Sequence, residues 1–249
     1  MKSILVIPVI LCILSCQQTG SHRKFVTSFE STTVFQDFYF TPQGYLGTTY
    51  HGQQDSIVHS GTYAHIAWIT GANTPPATPF ENHNHRGYPT IQLQKTPDGV
   101  FQTPCYVTFW IYLDMPLYPN TPENEWFSTA TFTSDPSDYW ARTVLINVDV
   151  DSNLQLVHVP NQGEQQYIYQ NTTIKFPQKQ WVEIRAYLDF DQTNGYAKVW
   201  QDGVLVSHAK VNGCNGTLAQ AHFGMYSSWH CESGFVLNDD LVIEEVDHE

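Results

Sequence analysis

Strict alternation of side-chain character along two segments is the feature that most limits how this chain can fold. In residues 107–114 the odd positions are Val, Phe, Ile and Leu, whereas the even positions are Thr, Trp, Tyr and Asp. In residues 181–190 every even position is apolar, and the odd positions include Glu, Arg and Asp. A period of two places successive side chains on opposite faces of a β-strand. Each segment is therefore predicted to be a strand with one face in a hydrophobic core.

Turn signals between such segments indicate an all-β protein. Asn194-Gly195 separates two predicted strands, and Asp202-Gly203 joins 196–201 to 204–209 as a two-residue hairpin. No segment has the pattern of a long amphipathic helix. About a dozen closely spaced strands predict a sandwich or barrel. We find neither a linker nor a repeat after residue 24, so residues 25–249 are predicted to form one domain.

The charge balance excludes one class of function. The 249 residues include 11 Lys and Arg against 24 Asp and Glu, which gives a formal net charge of −13. A protein of this charge has no basic surface to replace the counterions of phosphates, so we expect no nucleic-acid partner. Charged residues make up only 14% of the chain and aromatic residues also 14%. This composition is typical of an exported β-protein, and we expect a monomer.

The N-terminus has the pattern of an export signal. Residues 1–16 read MKSILVIPVILCILSC, with one Lys before an apolar run too short to span a membrane. The Ile-Leu-Ser-Cys ending resembles a bacterial lipobox, which implies cleavage after residue 15 and lipidation of Cys16. Residues 16–24 then form a lipidated tether that holds the protein on a bacterial membrane, at the periplasmic face or the cell surface. The alternative is an ordinary secretory signal in which the Cys has no role.

Three cysteines remain in the predicted domain. Export places Cys105, Cys214 and Cys231 in an oxidising compartment, where disulfides persist. Cys214 and Cys231 flank one predicted strand, so we expect a disulfide between them, with Cys105 left over. The spacing of Cys and His residues matches no zinc site.

The faces opposite the predicted core are unusually aromatic. Sugars stack their C–H faces on aromatic rings, and their hydroxyls need hydrogen bonds, so rings mixed with ionic groups predict a carbohydrate site. The alternative is that loops or a second layer cover these rings. The candidate sugar-binding residues on these faces are Trp110, Tyr112, Arg185, Tyr187, Lys198 and Trp200.

Three segments together resemble the concanavalin A-like jelly-roll polysaccharide lyases, which include alginate, glucuronan and heparin-type lyases. They are HRGYPTIQL at 85–93, WVEIRAYLDFDQTNGYAKVWQDGVLV at 181–206, and AHFGMY at 221–226. The resemblance implies a β-sandwich of two antiparallel sheets and a polysaccharide or oligosaccharide ligand. The same hairpin also occurs in lectin-like and laminin-G-like modules that have no catalytic activity.

The chemistry implied by this resemblance is β-elimination at a uronate unit of a polysaccharide. It needs a group that neutralises the carboxylate, a base for the C5 proton and an acid for the leaving O4. By the resemblance, Tyr226 matches the catalytic tyrosine of the family, Arg86 its strand arginine and His222 its substrate-binding lysine. Alternation places Arg86, Tyr88 and Gln92 on one strand face, and His222 and Tyr226 on another. Gln92 and Tyr88 are thus candidate substrate-binding residues.

The chain departs from the alginate-type pattern at one position. Those enzymes have Gln-x-His on a strand that corresponds here to residues 126–132, WFSTATF, which contain neither residue. The base must then be another histidine, and the sequence leaves several open: His51, His59, His65, His83, His85 and His222. The cluster His83-Asn84-His85-Arg86 makes His85 our candidate base and His83 a candidate ligand contact. The alternative is a lectin-like face that binds glycans without cleaving them. The acidic motif of jelly-roll glucanases is not found in the sequence, which disfavours a glycoside hydrolase.

Two acidic positions resemble the structural calcium site of jelly-roll carbohydrate modules. Glu30 lies at the start of the domain and Asp240 lies in the predicted last strand. If the first and last strands are adjacent, the two carboxylates come together, and carboxylate oxygens are ligands that Ca²⁺ prefers. The alternative is an exposed acid on each strand.

Overall fold

The computed structural model describes residues 22–31, 39–40, 45–78, 81–95, 99–116, 126–137, 143–161, 163–212 and 214–248. The predicted signal and Cys16 lie outside these residues. No helix within them is long and apolar enough to cross a membrane. The strands are β1 (Lys24–Thr27), β2 (Tyr39–Phe40), β3 (Thr49–Gln54), β4 (Ala64–Ile69), β5 (His85–Gly87), β6 (Pro89–Gln92), β7 (Phe101–Gln102), β8 (Cys105–Asp114), β9 (Trp126–Thr133), β10 (Thr143–Asp149), β11 (Leu154–Val159), β12 (Gln166–Ile168), β13 (Trp181–Asp189), β14 (Tyr196–Gln201), β15 (Val204–Lys210), β16 (Thr217–Leu218), β17 (Gln220–Ser227) and β18 (Gly234–Glu245).

Two large antiparallel sheets form a jelly-roll β-sandwich, as predicted. The front sheet has the order β12-β11-β10-β9-β17-β6-β2, with β5 also paired to β17. The back sheet has the order β15-β14-β13-β8-β18-β4-β3, with β1 also paired to β18. In each of these two strand orders, three pairs of neighbours are consecutive in sequence and three are far apart. The hydrophobic pattern of the central strands therefore has to agree with partners far along the chain.

The core lies between the two sheets, where the apolar faces of their strands meet. Burial alternates along the whole of β8, which confirms the predicted strand at 107–114. Phe109 of β8 and Phe223 of β17 are both buried, and their ring centroids lie 5.2 Å apart across the sandwich. Burial of one such side chain contributes about 1.5–3 kcal/mol. The side chains that face away from this layer are therefore the ones available to a ligand.

The Asp202-Gly203 hairpin forms where the sequence predicted it. β14 ends at Gln201, β15 begins at Val204, and these two residues pair with each other. Asp202 and Gly203 have φ angles of 47° and 78°. Positive φ at both central residues is the requirement of a type I′ turn, which Asp-Gly meets at low steric cost.

The predicted disulfide does not form. Cys214 and Cys231 are both buried thiols, and the Cys214 Sγ lies 3.8 Å from the Asn212 carbonyl oxygen. Strand β17 lies between the two cysteines and extends the chain by roughly 3.3 Å per residue. The structure therefore does not join the two thiols that flank this strand. The third thiol, Cys105, is also buried, and burial raises its pKa.

Candidate functional site

Arg86 and Tyr226 are direct neighbours on the outer face of the front sheet. Arg86 of β5 pairs with Tyr226 of β17 in antiparallel register. Further along β17, Ala221, Phe223 and Met225 belong to the core, so His222 and Tyr226 face away from it. We call this outward side of the front sheet the front face. The polar faces predicted for the two segments therefore share one surface.

Tyr88 and His222 extend this pair along the strands. Their rings stack with centroids 3.9 Å apart, and each lies about one ring diameter from Tyr226, at 6.2 Å and 6.1 Å. Burial, assisted by the nearby charge of Arg86, lowers the pKa of His222 to about 3. Burial also raises the pKa of Tyr88. Both rings are thus neutral at physiological pH, and Arg86 provides the charge of the cluster.

Arg86 has the surroundings of an arginine that binds an anion. Its guanidinium carbon lies 5.2 Å from the centre of the Tyr45 ring, and it forms no ion pair with any described Asp or Glu. Its Nε is buried and has no hydrogen-bond partner within the described ranges. A buried donor without a partner costs about 1–3 kcal/mol. A carboxylate ligand would remove this cost, since a guanidinium binds carboxylates with two parallel hydrogen bonds.

Three contacts of Tyr226 involve residues that the sequence does not mark as functional. Asn82 and Asn84 donate their side-chain Nδ2 hydrogens to the Tyr226 hydroxyl oxygen, at 3.2 Å and 3.4 Å. Trp126 packs edge-on against the Tyr226 ring, with centroids 4.9 Å apart. Trp126 opens a strand with an apolar periodicity, which is a weak signal. The two asparagines flank His83 in a loop, where no periodicity indicates the direction of a side chain.

Gln92 shares the front face but stands away from Arg86. It pairs with Gln220 across β6 and β17, and its Nε2 donates to the Gln220 Oε1 at 3.1 Å. Six residues of extended chain separate Gln92 from Arg86, which corresponds to roughly 20 Å. The two residues therefore contact different parts of any bound chain.

His85, the candidate base, does not face the ligand side. Its Nδ1 lies 2.7 Å from the Thr49 hydroxyl of the back sheet, and its Nε2 lies 3.0 Å from the Cys231 carbonyl oxygen. Because neighbours in a strand point to opposite faces, His85 enters the sandwich where Arg86 leaves it. Burial lowers the pKa of His85. The prediction of His85 as the base is wrong, since its ring is buried between the sheets.

The remaining candidate histidines lie in three different places. His83 is in the loop before β5, with its Nδ1 2.7 Å from the Thr74 carbonyl oxygen and its Nε2 3.5 Å from the Glu81 carboxylate. His51 and His65 are buried together in the back sheet with ring centroids 5.6 Å apart. His59 stacks on Trp110. Of the six candidates, His222 is the one placed in the Arg86–Tyr226 cluster.

The aromatic set predicted to bind sugar lies on the opposite surface of the molecule. Its residues belong to β8, β13 and β14, which are strands of the back sheet, so the core separates them from Arg86. Arg185 covers the Tyr106 ring at 3.8 Å, and the Lys198 Nζ lies 5.2 Å from the centre of the Tyr187 ring. The residues of this set cannot contact a sugar bound at Arg86 and Tyr226. The predicted residues placed there are Trp110, Tyr112, Arg185, Tyr187, Lys198 and Trp200.

Glu30 and Asp240, the predicted calcium ligands, both contact the loop between β3 and β4. The Glu30 carboxylate accepts hydrogen bonds from the backbone N–H groups of Thr62 and Tyr63. Asp240 lies 2.6 Å from the His59 Nδ1 and 2.8 Å from the Ser60 hydroxyl. Among the described residues, no group of three or more His, Cys, Asp or Glu is placed to hold a metal. Calcium therefore stays a prediction.

Comparisons with known proteins identify the fold. No protein-family model and no curated protein sequence matches this chain. The endo-β-1,4-glucuronan lyase of the fungus Trichoderma reesei superposes with a TM-score of 0.63 and 14% identity, over 89% of this chain and 95% of that chain. The cellulose-induced protein Cip1 superposes with a TM-score of 0.56 and 14% identity, over 89% of this chain and 97% of that chain. The binding domain of Paraclostridial mosquitocidal protein 1 superposes with a TM-score of 0.51 and 10% identity, over 85% of this chain and 45% of that chain. At these identities the likeness shows the fold alone, a jelly-roll β-sandwich that this chain shares with the glucuronan lyase.

Proposed function

We propose that the front face binds a polysaccharide at a uronate unit and cleaves it by β-elimination. The observation that carries this proposal is Arg86, which stands directly across from Tyr226 and forms no ion pair with a described Asp or Glu. In a chain of net charge −13, an arginine in this position favours an anionic ligand group. The structural likeness to a glucuronan lyase agrees with this proposal at the level of the fold.

Each residue of the cluster has a role in this proposal. Arg86 neutralises the uronate carboxylate, which makes the C5 proton easier to remove. His222 is neutral and accepts that proton, the C–H electrons form the C4–C5 double bond, and the C4–O4 bond breaks. Tyr226 donates its proton to the leaving O4. Because Asn82 and Asn84 both donate to the Tyr226 oxygen, the hydroxyl hydrogen of Tyr226 is directed to another acceptor.

Binding without cleavage is the second candidate function, and two observations favour it. A histidine whose pKa is about 3 accepts a proton weakly at neutral pH. At the position of the alginate-type Gln-x-His, the front face presents Ser128 beside Tyr226 and Thr131 beside His222. Neither side chain is a base. Under this alternative the same cluster recognises a uronate and leaves the glycosidic bond intact.

Incubation of the purified protein with a panel of uronate polysaccharides separates the two functions. A lyase forms an unsaturated product that is followed by its ultraviolet absorbance. We expect Tyr226→Phe to abolish product formation and Arg86→Ala to abolish both product and binding. Tyr50→Phe, a matched change on the back sheet, should leave both unchanged. If the wild type is retained on the polysaccharides but forms no product, and Arg86→Ala is no longer retained, the protein binds without cleaving. If the protein forms no product and is not retained on any polysaccharide of the panel, the proposal is refuted.

We also propose that the protein is exported and anchored to a bacterial membrane by a lipid on Cys16. The signal pattern and the Ile-Leu-Ser-Cys ending of residues 1–16 support this proposal. Metabolic labelling with a tritiated fatty acid should mark the wild-type chain and leave a Cys16→Ala variant unlabelled. Equal labelling of both chains would contradict a lipid at this residue.

A further inference from the structure

We infer that the substrate has a uronate flanked by neutral sugars, and that Asp149 and Asp151 select it against a polymer made of uronates alone. This inference rests on the proposed function of the front face and specifies its substrate class. It comes from the charges along a row of residues that crosses the front sheet from β5 to β11, and from the aromatic residues beyond it.

The row is defined by strand pairing. Arg86 faces Tyr226, Tyr226 faces Ser128, Ser128 faces Asn147, and Asn147 faces Gln155. These residues lie on five adjacent strands, so the row is about 19 Å long at the usual strand spacing. A polysaccharide that crosses the strands from Arg86 therefore reaches β11 and β12.

Two acidic side chains lie beside the row, two and four residues beyond Asn147. Asp149 pairs with Trp126 on the front face, and Asp151 is exposed in the turn that follows β10. Burial raises the pKa of Tyr169, the Asp149 and Asp151 carboxylates raise it further, and the hydrogen bond with the Gln155 side chain opposes them. Lys175 donates to Asn153 in the same turn, so two carboxylates and one ammonium leave a net charge of −1.

The uncharged side chains at the end of the row away from Arg86 suit neutral sugar hydroxyls. Asn147 Oδ1 is a buried acceptor without a hydrogen-bond partner within the described ranges, and beside it the Gln155 side chain forms a hydrogen bond with Tyr169. A sugar hydroxyl can donate to such an oxygen, whereas a carboxylate is an acceptor only. Tyr167 and Tyr169 are 50% and 49% exposed and can stack on the apolar face of a sugar ring. A second uronate bound here would meet acceptors and carboxylates.

Two polymers test this inference: one of glucuronate alone, and one in which glucuronate alternates with a neutral hexose. We expect the wild-type kcat/KM to be at least about threefold higher on the alternating polymer, since one exposed charge at close range changes a rate by a few-fold. Asp151→Asn should raise kcat/KM on the homopolymer about two- to threefold and leave the alternating polymer unchanged. Added salt should reduce the difference in kcat/KM between the two polymers, because it screens the exposed carboxylates. Asp55→Asn, which removes an exposed acid elsewhere, should reproduce the wild type.

The outcomes separate this inference from the function on which it rests. The inference is overturned if kcat/KM on the homopolymer equals or exceeds that on the alternating polymer. It is also overturned if Asp151→Asn leaves the ratio of the two kcat/KM values unchanged. Either result leaves the lyase proposal standing. If neither polymer gives product, cleavage fails as a function, and the Kd values of the two polymers decide instead. Tighter binding of the alternating polymer, with the gap reduced in Asp151→Asn, supports the inference, and equal binding overturns it. Because Asp149 also orders the turn through hydrogen bonds to Asn153, Asp151 is the cleaner position to vary.

Discussion

The protonation of His222 should make the folded protein lose stability as the pH falls. Burial and the charge of Arg86 lower the pKa of this histidine from 6.5 to about 3. In the unfolded chain the ring takes up a proton below about pH 6.5, whereas in the folded protein it does not until about pH 3. The unfolded state therefore binds more protons in this window, and the stability present above it is lost as the pH falls.

The size of this loss follows from the two pKa values. Between about pH 7.5 and pH 4.5, linkage at 1.36 kcal/mol per pKa unit predicts that His222 alone removes about 2.6 kcal/mol of the free energy of unfolding. Other titrating groups change the stability over the same range, so the quantity to measure is the difference between two proteins. A His222→Gln variant has no ring to protonate and should lose less stability on acidification by this amount, whatever its stability at neutral pH.

Urea unfolding followed by tryptophan fluorescence gives this difference directly. Unfolding free energies of wild type and His222→Gln are measured at both pH values, with His248→Gln as a control at a histidine whose side chain is 67% exposed. We expect the control to follow the wild type within about 1 kcal/mol. Identical pH dependence in wild type and His222→Gln would show that the ring is protonated as readily in the folded protein as in the unfolded chain. In that case the neutral, buried His222 on which the proposed site depends does not exist.

Three further predictions concern stability. Burial raises the pKa of the Asp239 carboxyl from 3.8 to about 6. The folded protein therefore keeps a proton that the unfolded chain releases, and the wild type loses stability as the pH rises through this range. Asp239→Asn has no such proton, so between about pH 4 and pH 7 its free energy of unfolding in urea should rise by about 2 kcal/mol relative to that of the wild type. Gly224 has a φ of 132°, and a Cβ there would lie 2.6 Å from the Gly87 carbonyl oxygen, so Gly224→Ala should destabilise the protein by about 2 kcal/mol or more. Gly71→Ala, where a Cβ meets nothing within 4 Å, should change the melting temperature little, and equal effects of the two alanines would refute this argument. The calcium prediction expects Ca²⁺ added to the EDTA-treated protein to raise the melting temperature and Glu30→Gln to remove the effect; an unchanged melting temperature would contradict it.

The fold could be predicted from the sequence because strand periodicity is a local property. Alternation along 107–114 and 181–190 identified the core face of two central strands, and Asp202-Gly203 identified a hairpin whose backbone angles only a few residue types accept. The same local rule placed Arg86 and Tyr226 on outward faces. Their meeting in one pair follows from the jelly-roll topology, for which the resemblance to polysaccharide lyases was needed.

The errors arose where the local pattern contains no information on partners. Alternation shows that Trp110 and Trp200 face outward but not from which sheet, and they lie on the back sheet. His85 is adjacent to Arg86 in a strand and so had to point to the opposite face, which the pattern itself implied. Asn82 and Asn84 lie in a loop, where the direction of a side chain depends on tertiary contacts.

Recognition of a uronate carboxylate by Arg86 can be measured apart from any cleavage. Calorimetric titration of the Tyr226→Phe protein compares an oligosaccharide that contains glucuronate with the same oligosaccharide after its carboxyl has been reduced to an alcohol. A charge-assisted hydrogen bond contributes about 1.5–3 kcal/mol, so the acid should bind at least about tenfold more tightly than the alcohol. In a Tyr226→Phe, Arg86→Gln double variant the two ligands should bind alike. Equal affinities of acid and alcohol while Arg86 is present would contradict the account.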